Sequence, residues 1–254
     1  MERPEDARAA GSCAMAVMAK ASVLGRAKTR LIPHVGPELA ARLNTAFLQD
    51  VTTNLVQASE RAPISCYVAY GPAGAEPFFR DHVSAGVALM ECCLPGFGDC
   101  LFHAIATMLE RGHSAACVLN ADSPTLPTNY LVTAARLLAR PGDRAVLGPS
   151  TDGGYYLLGL KQPHRRLFAD IDWSTPRVAE QTRCRAAEIG LELLQLDPWY
   201  DVDDAATLQQ LMAQLASRDS SVEALPYAAP RTREALAHMS AHTTHMSARA
   251  AHGP

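Results

Sequence analysis

One carboxylate stands where a buried strand ends. The apolar run Ala116-Cys117-Val118-Leu119-Asn120-Ala121 stops at Asp122, and Ser123-Pro124 follows. Proline cannot continue a central strand, so the chain must turn there. In an open α/β sheet, ligands bind outside the carboxyl ends of the strands. Asp122 is therefore placed to hold a metal or a ligand hydroxyl, the alternative being a plain cap for the next helix. A second acidic cluster, Asp201-Val202-Asp203-Asp204, lies far along the chain. Mg²⁺ typically takes one or two carboxylates and fills its remaining positions with phosphate and water. Asp122 and Asp203 form the expected pair for Mg²⁺ or Mn²⁺. Asp201 can substitute for Asp203, and Asp204 reads as a helix N-cap.

Four cations lie between the first strand and the first helix: Lys20, Arg26, Lys28 and Arg30, with Gly25 among them. Phosphate oxygens suit such a loop, which offers backbone N–H groups freed by glycine and charge-assisted side-chain donors. The bland alternative is a solvated basic loop. It is no Walker loop, because the adjacent Gly-Lys-[Ser/Thr] is missing. Gly96-Phe97-Gly98-Asp99 is half of a dinucleotide fingerprint without its third glycine, so a nicotinamide site is rejected. Asp99 reads as a helix start that either approaches a base or ribose or serves only as a cap. Asp152-Gly153-Gly154 is a turn whose Asp152 could orient an acceptor or act as a base. Trp173-Ser174-Thr175-Pro176-Arg177 exposes polar groups at a helix start, with Arg177 available to an anionic acceptor. There is no Gly-x-Ser-x-Gly, so Ser123 is a poor hydrolase nucleophile.

These groups need elements to position them. Strands are expected at Ala14–Ala19, Ile64–Tyr70, Val87–Glu91, Ala116–Ala121, Ala145–Gly148, Tyr155–Leu160 and Leu191–Leu196. Helices are expected from Pro37 through Leu55, over Glu76–His82, from Asp99 through Leu109, over Thr128–Ala139, from Ser174 to Gly190, and from Asp204 to Ala216. Strands alternating with helices argue for a mostly parallel sheet covered on both faces. The expected organisation is a flexible leader over 1–12, one folded domain over 13–216, and a disordered tail over 217–254 that ends in a His-rich run.

At 254 residues, with 48% hydrophobic and 19% charged, the chain can bury a sizeable core. A net charge of -3 gives no electrostatic case for nucleic acid or an anionic membrane as partner. No apolar run is long enough to span a membrane. The seven cysteines are odd in number and include no Cys-x-x-Cys, which fits a reducing, cytoplasmic compartment. Oligomeric state is left open.

The ordered set Met-Ala-Lys-Ala-x-x-x-Gly-Arg-x-Lys-Thr-Arg-Leu, Ala-Asp-Ser-Pro-Thr-Leu-Pro, Gly-Pro-x-x-Asp-Gly-Gly-Tyr-Tyr-Leu, Trp-Ser-Thr-Pro-Arg-Val and Trp-Tyr-Asp-Val-Asp resembles the DUF2064 family. The resemblance implies nucleotide-diphospho-sugar transferases of the GT-A type, some associated with arsenosugar biosynthesis. The chain is more loosely similar to the guanylyltransferase of coenzyme F420 synthesis and to molybdenum-cofactor nucleotidyltransferases. The resemblance implies a GT-A-like α/β sandwich of three layers with a mostly parallel mixed sheet. It implies a transferase with a nucleotide sugar as donor, a small-molecule acceptor and a divalent metal. Lys20, Gly25, Arg26, Lys28, Arg30 and Asp99 would bind the nucleotide. Asp122 would take the place of the metal-binding aspartate motif, beside Asp203. Asp152 and Asp122 would be catalytic, with Gly153, Gly154, Trp173, Ser174, Thr175 and Arg177 at the acceptor. Asp-Ser replaces the Asp-x-Asp of many GT-A enzymes, and Cys100-Leu101-Phe102-His103 replaces the family's Leu-Gly-x-Arg. A nucleotidyltransferase using an NTP and an anionic acceptor is the first alternative, and a non-catalytic nucleotide-binding protein is the second.

Overall fold

A computed structural model describes residues 11–217 and 225–237. Most of the expected leader and the His-rich end of the tail lie outside the described residues. The strands are β1 (Cys13–Lys20), β2 (Ile64–Gly71), β3 (Ala88–Glu91), β4 (Ala115–Leu119), β5 (Arg144–Pro149), β6 (Tyr155–Leu160) and β7 (Glu192–Gln195). The helices are α1 (Ile32–Ser59), α2 (Glu76–His82), α3 (Phe97–Glu110), α4 (Thr128–Leu138), α5 (Val178–Glu188) and α6 (Ala205–Ala216), with a 3₁₀ turn at Arg165–Phe168.

The strands form one mixed sheet in the order β3-β2-β1-β4-β6-β5-β7. β6 runs antiparallel to β4 and β5, and every other neighbouring pair is parallel. From β1 the chain first builds outward to β2 and β3, then returns to place β4 on the other side of β1. The order reverses between β1 and β4, and that is where an open sheet forms its crevice.

The sheet is the middle of three layers, as expected. Side chains alternate along each strand, so β1 sends Cys13, Met15 and Val17 to one face and Ala14 and Ala16 to the other. The first face packs under α1, α2 and α4, through Leu48, Leu55, Phe79 and Leu131. The second packs under α3 and α5, through Leu101, Ile105, Met108 and Ala179.

The long part of α1 starts at Pro37, as expected: a short helical turn at Ile32 precedes it, and Gly36, with a φ of 78° and a ψ of 161°, breaks the path between the two. Two local expectations change. α5 begins at Val178, not at Ser174. Ser174 has a φ of 63°, and Thr175 Oγ1 donates 2.7 Å to the Asp172 carbonyl, so this stretch is a turn that precedes the helix.

The tail is the second. Residues 225–237 are ordered, with a helix over 230–237. Tyr227, Ala229, Ala235 and Leu236 join Leu43, Phe47, Tyr200 and Leu211 in a separate apolar cluster. Asp50, fully buried in α1, accepts hydrogen bonds from the N–H groups of Arg231 (3.1 Å) and Thr232 (2.7 Å). A helix start leaves such N–H groups without intrahelical partners, and here the cap comes from another helix.

Removing that cap strands the buried N–H of Thr232 and the half-buried N–H of Arg231. Asp50→Ala is expected to lower unfolding stability by about 1–3 kcal/mol and to speed amide hydrogen exchange over 225–237. Unchanged exchange in that segment would contradict the capping role.

Candidate functional site

A cleft of about 790 Å³ opens at the carboxyl ends of β1 and β4. That size accommodates a ligand as large as a nucleotide sugar. Met18 to Ala21 and Arg26 to Arg30 line one side, Asn120 to Asp122 the floor, and Trp173 to Pro176 the far wall. Asp152, Gly154, Asp201 and Asp203 also line it.

The centre of the site is an ion cluster. Lys28 Nζ lies 2.6 Å from Asp122 Oδ1 and 2.8 Å from Asp203 Oδ1. It also donates to the Val202 carbonyl at 2.8 Å. An ammonium has three N–H donors, and all three find acceptors. The Lys28 side chain is 5% exposed, whereas Asp122 and Asp203 keep 34% and 41%. Burial disfavours the Lys28 charge, but the two carboxylates outweigh it and hold its pKa above the ordinary value. With its folded-state pKa raised, the Lys28 ammonium contributes its full stabilisation at neutral pH and loses it as pH climbs through that raised alkaline value.

The segment after β7 makes this meeting possible. Val202 N donates to the Asp122 carbonyl at 2.9 Å, and Ser123 Oγ donates to the Tyr200 carbonyl at 3.0 Å. Thr151 N donates to the Trp199 carbonyl at 2.9 Å. Asp201 and Asp203 are thereby carried across the strand ends to Asp122. Asp204 caps α6 through a capping box with Thr207, as expected.

The remaining cations differ from Lys28. Lys20, Arg26 and Arg30 are exposed and line the cleft, and Arg30 acts on Asp204 through its charge. Gly25 has a φ of 73°, which lets the loop turn beneath them. Asp99 sits in the first turn of α3, outside the cleft lining, and pairs with Arg165 at 3.0 Å. Arg177 is likewise outside and pairs with Asp172 at 3.0 Å.

The far wall is aromatic. Trp173 meets Phe97 edge-on at 5.3 Å and Tyr155 at 6.5 Å. Gly98 makes this packing possible, since a Cβ there would lie 2.8 Å from the indole nitrogen. Gly153 serves the same wall. A Cβ on it would strike the Pro176 carbonyl at 2.1 Å, and its own carbonyl accepts from Ala179 N at 2.9 Å. Gly153 thus packs behind the lining, while Gly154, Ser174 and Thr175 face the cleft.

Asp201 is more deeply set than its place in the sequence suggests. Burial, and then the charges of Asp152 and Asp203, push its carboxyl up to about 6. Asp152, Asp203 and Asp122 thus all act on Asp201, and the Lys28 ammonium sits between two of them. Among the described residues no three metal-ligating side chains are gathered closely enough to hold an ion by themselves. The donor set nevertheless fits a hard divalent cation, because its carboxylates are in excess and a cation already bridges two of them.

The Asp201 shift has a pH signature. Its folded-state pKa is raised, so its contribution to stability is complete below about 4 and lost as pH rises through about 6. Asp201→Asn is expected to flatten that limb and raise the melting temperature at pH 8 by about 2–4 °C. Thermal denaturation across pH 4–8 checks this, and parallel curves for the two proteins would contradict it.

Comparison with known proteins agrees with the fold and the motifs. Residues 52–175 match DUF2064, a family described as uncharacterized proteins conserved in bacteria. No curated protein matches the chain. A crystal structure from Desulfovibrio desulfuricans G20, provisionally described as a nucleotide-diphospho-sugar transferase, is 26% identical with a TM-score of 0.75. The match covers 91% of this chain and 97% of that one. CMP:2-keto-3-deoxy-manno-octonic acid synthetase, complexed with CTP, shares the fold at 13% identity and a TM-score of 0.52, covering 81% and 98%. The 4-diphosphocytidyl-2C-methyl-D-erythritol synthase of Anaerococcus prevotii DSM 20548 does so at 9% and 0.52, covering 83% and 99%. Over residues 52–175 the chain carries the sequence pattern of DUF2064, on the GT-A-like fold that its motifs led us to expect.

Proposed function

We propose that this protein is a transferase using a nucleotide-activated donor, and specifically a glycosyltransferase that passes a sugar from a nucleoside diphosphate to a small-molecule acceptor. One observation carries the reading. A single cleft at the β1/β4 crevice sets exposed cations and a carboxylate cluster against an aromatic wall. The likeness to the Desulfovibrio protein supports the same class.

In this reading Lys20, Arg26 and Arg30 face the donor diphosphate and stabilise charge as it leaves. Trp173, with Phe97 behind it, offers a flat apolar face for a sugar ring or an acceptor. Asp152, on an exposed turn held by Gly154 N at 2.8 Å, orients the acceptor hydroxyl and takes its proton. That oxygen attacks the anomeric carbon, the bond from carbon to phosphate oxygen breaks, and the nucleoside diphosphate departs. Asp122 and Asp203 would hold Mg²⁺ or Mn²⁺, which when bound neutralises phosphate charge.

A second reading rests on the same three exposed cations, which could equally face the triphosphate of an NTP. A nucleotidyltransferase would release pyrophosphate, whereas a sugar transferase releases a nucleoside diphosphate. Product analysis separates them.

Nucleotide sugars tested in a thermal-shift series with Mg²⁺ or Mn²⁺ are expected to include one that raises the melting temperature saturably. Arg26→Ala and Arg30→Ala should each weaken that ligand about tenfold, the loss of one charge-assisted contact. If no nucleotide sugar or NTP moves the melting point, with or without metal, the donor reading fails. Binding without turnover would leave a nucleotide-binding protein.

A further inference from the structure

The ammonium of Lys28 stands where a cation shared by Asp122 and Asp203 would stand. We infer that Lys28 is a resident counter-ion for this carboxylate pair, and that a divalent cation arriving at the site displaces it. The inference rests on the metal-binding reading of Asp122 and Asp203 given above.

The geometry makes the two cations rivals. One oxygen of each carboxylate is already engaged with Nζ, at 2.6 and 2.8 Å. Mg²⁺ needs oxygens at about 2.0–2.1 Å, so ion and ammonium cannot share those oxygens from the same position. An incoming ion has a path, because Asp122 and Asp203 are partly exposed and both line the cleft. The ammonium is covered.

Lys28 is also on an element that can yield. It belongs to no strand or helix, lying between β1 and α1. Its φ of 46° falls in the left-handed region, which disfavours a side chain. Three polar contacts and the Phe47 ring, 5.5 Å away, hold it there. Two of those contacts are the carboxylates that a metal would take. Once released, the ammonium remains on the cleft lining beside Lys20, Arg26 and Arg30, where a diphosphate would give it new acceptors.

Two consequences follow. Metal alone must break a satisfied ion cluster, so it binds weakly. Metal with a diphosphate binds better, because the displaced ammonium gains a partner, and the coupling is reciprocal. Lys28 is thus a positioning residue that delays metal loading until phosphate is present.

The test measures Mn²⁺ binding by electron paramagnetic resonance, without nucleotide, in the full chain and in Lys28→Met. Displacement predicts at least tenfold tighter Mn²⁺ binding in Lys28→Met. It also predicts that adding Asp203→Asn abolishes the gain. Equal or weaker binding in Lys28→Met, with measurable binding in both proteins, overturns the exchange and leaves the metal site standing. No Mn²⁺ binding in either protein overturns the metal reading and the exchange with it. Should Lys28→Met not fold, the unmodified protein gives the answer by NMR. The Lys28 ammonium protons, protected from solvent exchange in the free protein, should lose that protection at saturating Mg²⁺. Retained protection overturns the exchange.

Discussion

The site depends on one buried ammonium. Lys28 and Asp203 are 175 positions apart in sequence, yet they meet at 2.8 Å, and Asp122 meets the same nitrogen. Three regions converge there: the loop after β1, the end of β4 and the segment after β7. None of these can be placed alone. β1 and β4 are neighbours only because the chain doubles back after β3, and the β7 segment reaches Asp122 only because β6 and β5 lie between. A partnerless charge at that depth would be strongly unfavourable, so the pairing constrains the fold as much as the fold positions the pairing.

Around this point the cleft divides into two kinds of surface. Carboxylates and cations occupy the side nearest β1 and β4. Trp173, Phe97 and Tyr155 occupy the other, and two glycines with no room for a side chain fix that wall in place. Gly98 receives the indole, and Gly153 receives Pro176. A glycine pattern that resembles a nucleotide fingerprint in sequence thus supports aromatic packing in space.

Much of this is legible in the sequence. The strand periods locate β1 through β7, and the run into Asp122 marks the crevice. Lys28, Asp122 and Asp203 each stand out by type and position. Their relation was not legible, because sequence shows that a lysine is present without showing what its ammonium touches. By its sequence Lys28 is a phosphate cation, yet in the free protein it is fully occupied by carboxylates and a carbonyl. Asp99 and Arg177 looked available for the same reason and are paired on the surface. The order of 225–237 was hidden by averaging over a polar tail, since its anchor is Asp50, a residue in a distant helix. The late start of α5 was hidden by Ser174-Thr175-Pro176, whose types suit a cap but whose backbone is held as a turn.

The account is tested most directly by a double-mutant cycle between Lys28 and Asp203, read as unfolding free energy in denaturant. Groups in one ion cluster couple, and Lys28→Met with Asp203→Asn should show a coupling energy of about 1 kcal/mol or more. Additive losses, within ~0.3–0.5 kcal/mol, would mean that the two side chains do not act on each other in solution. The convergence of the three chain regions on one ammonium would then be refuted.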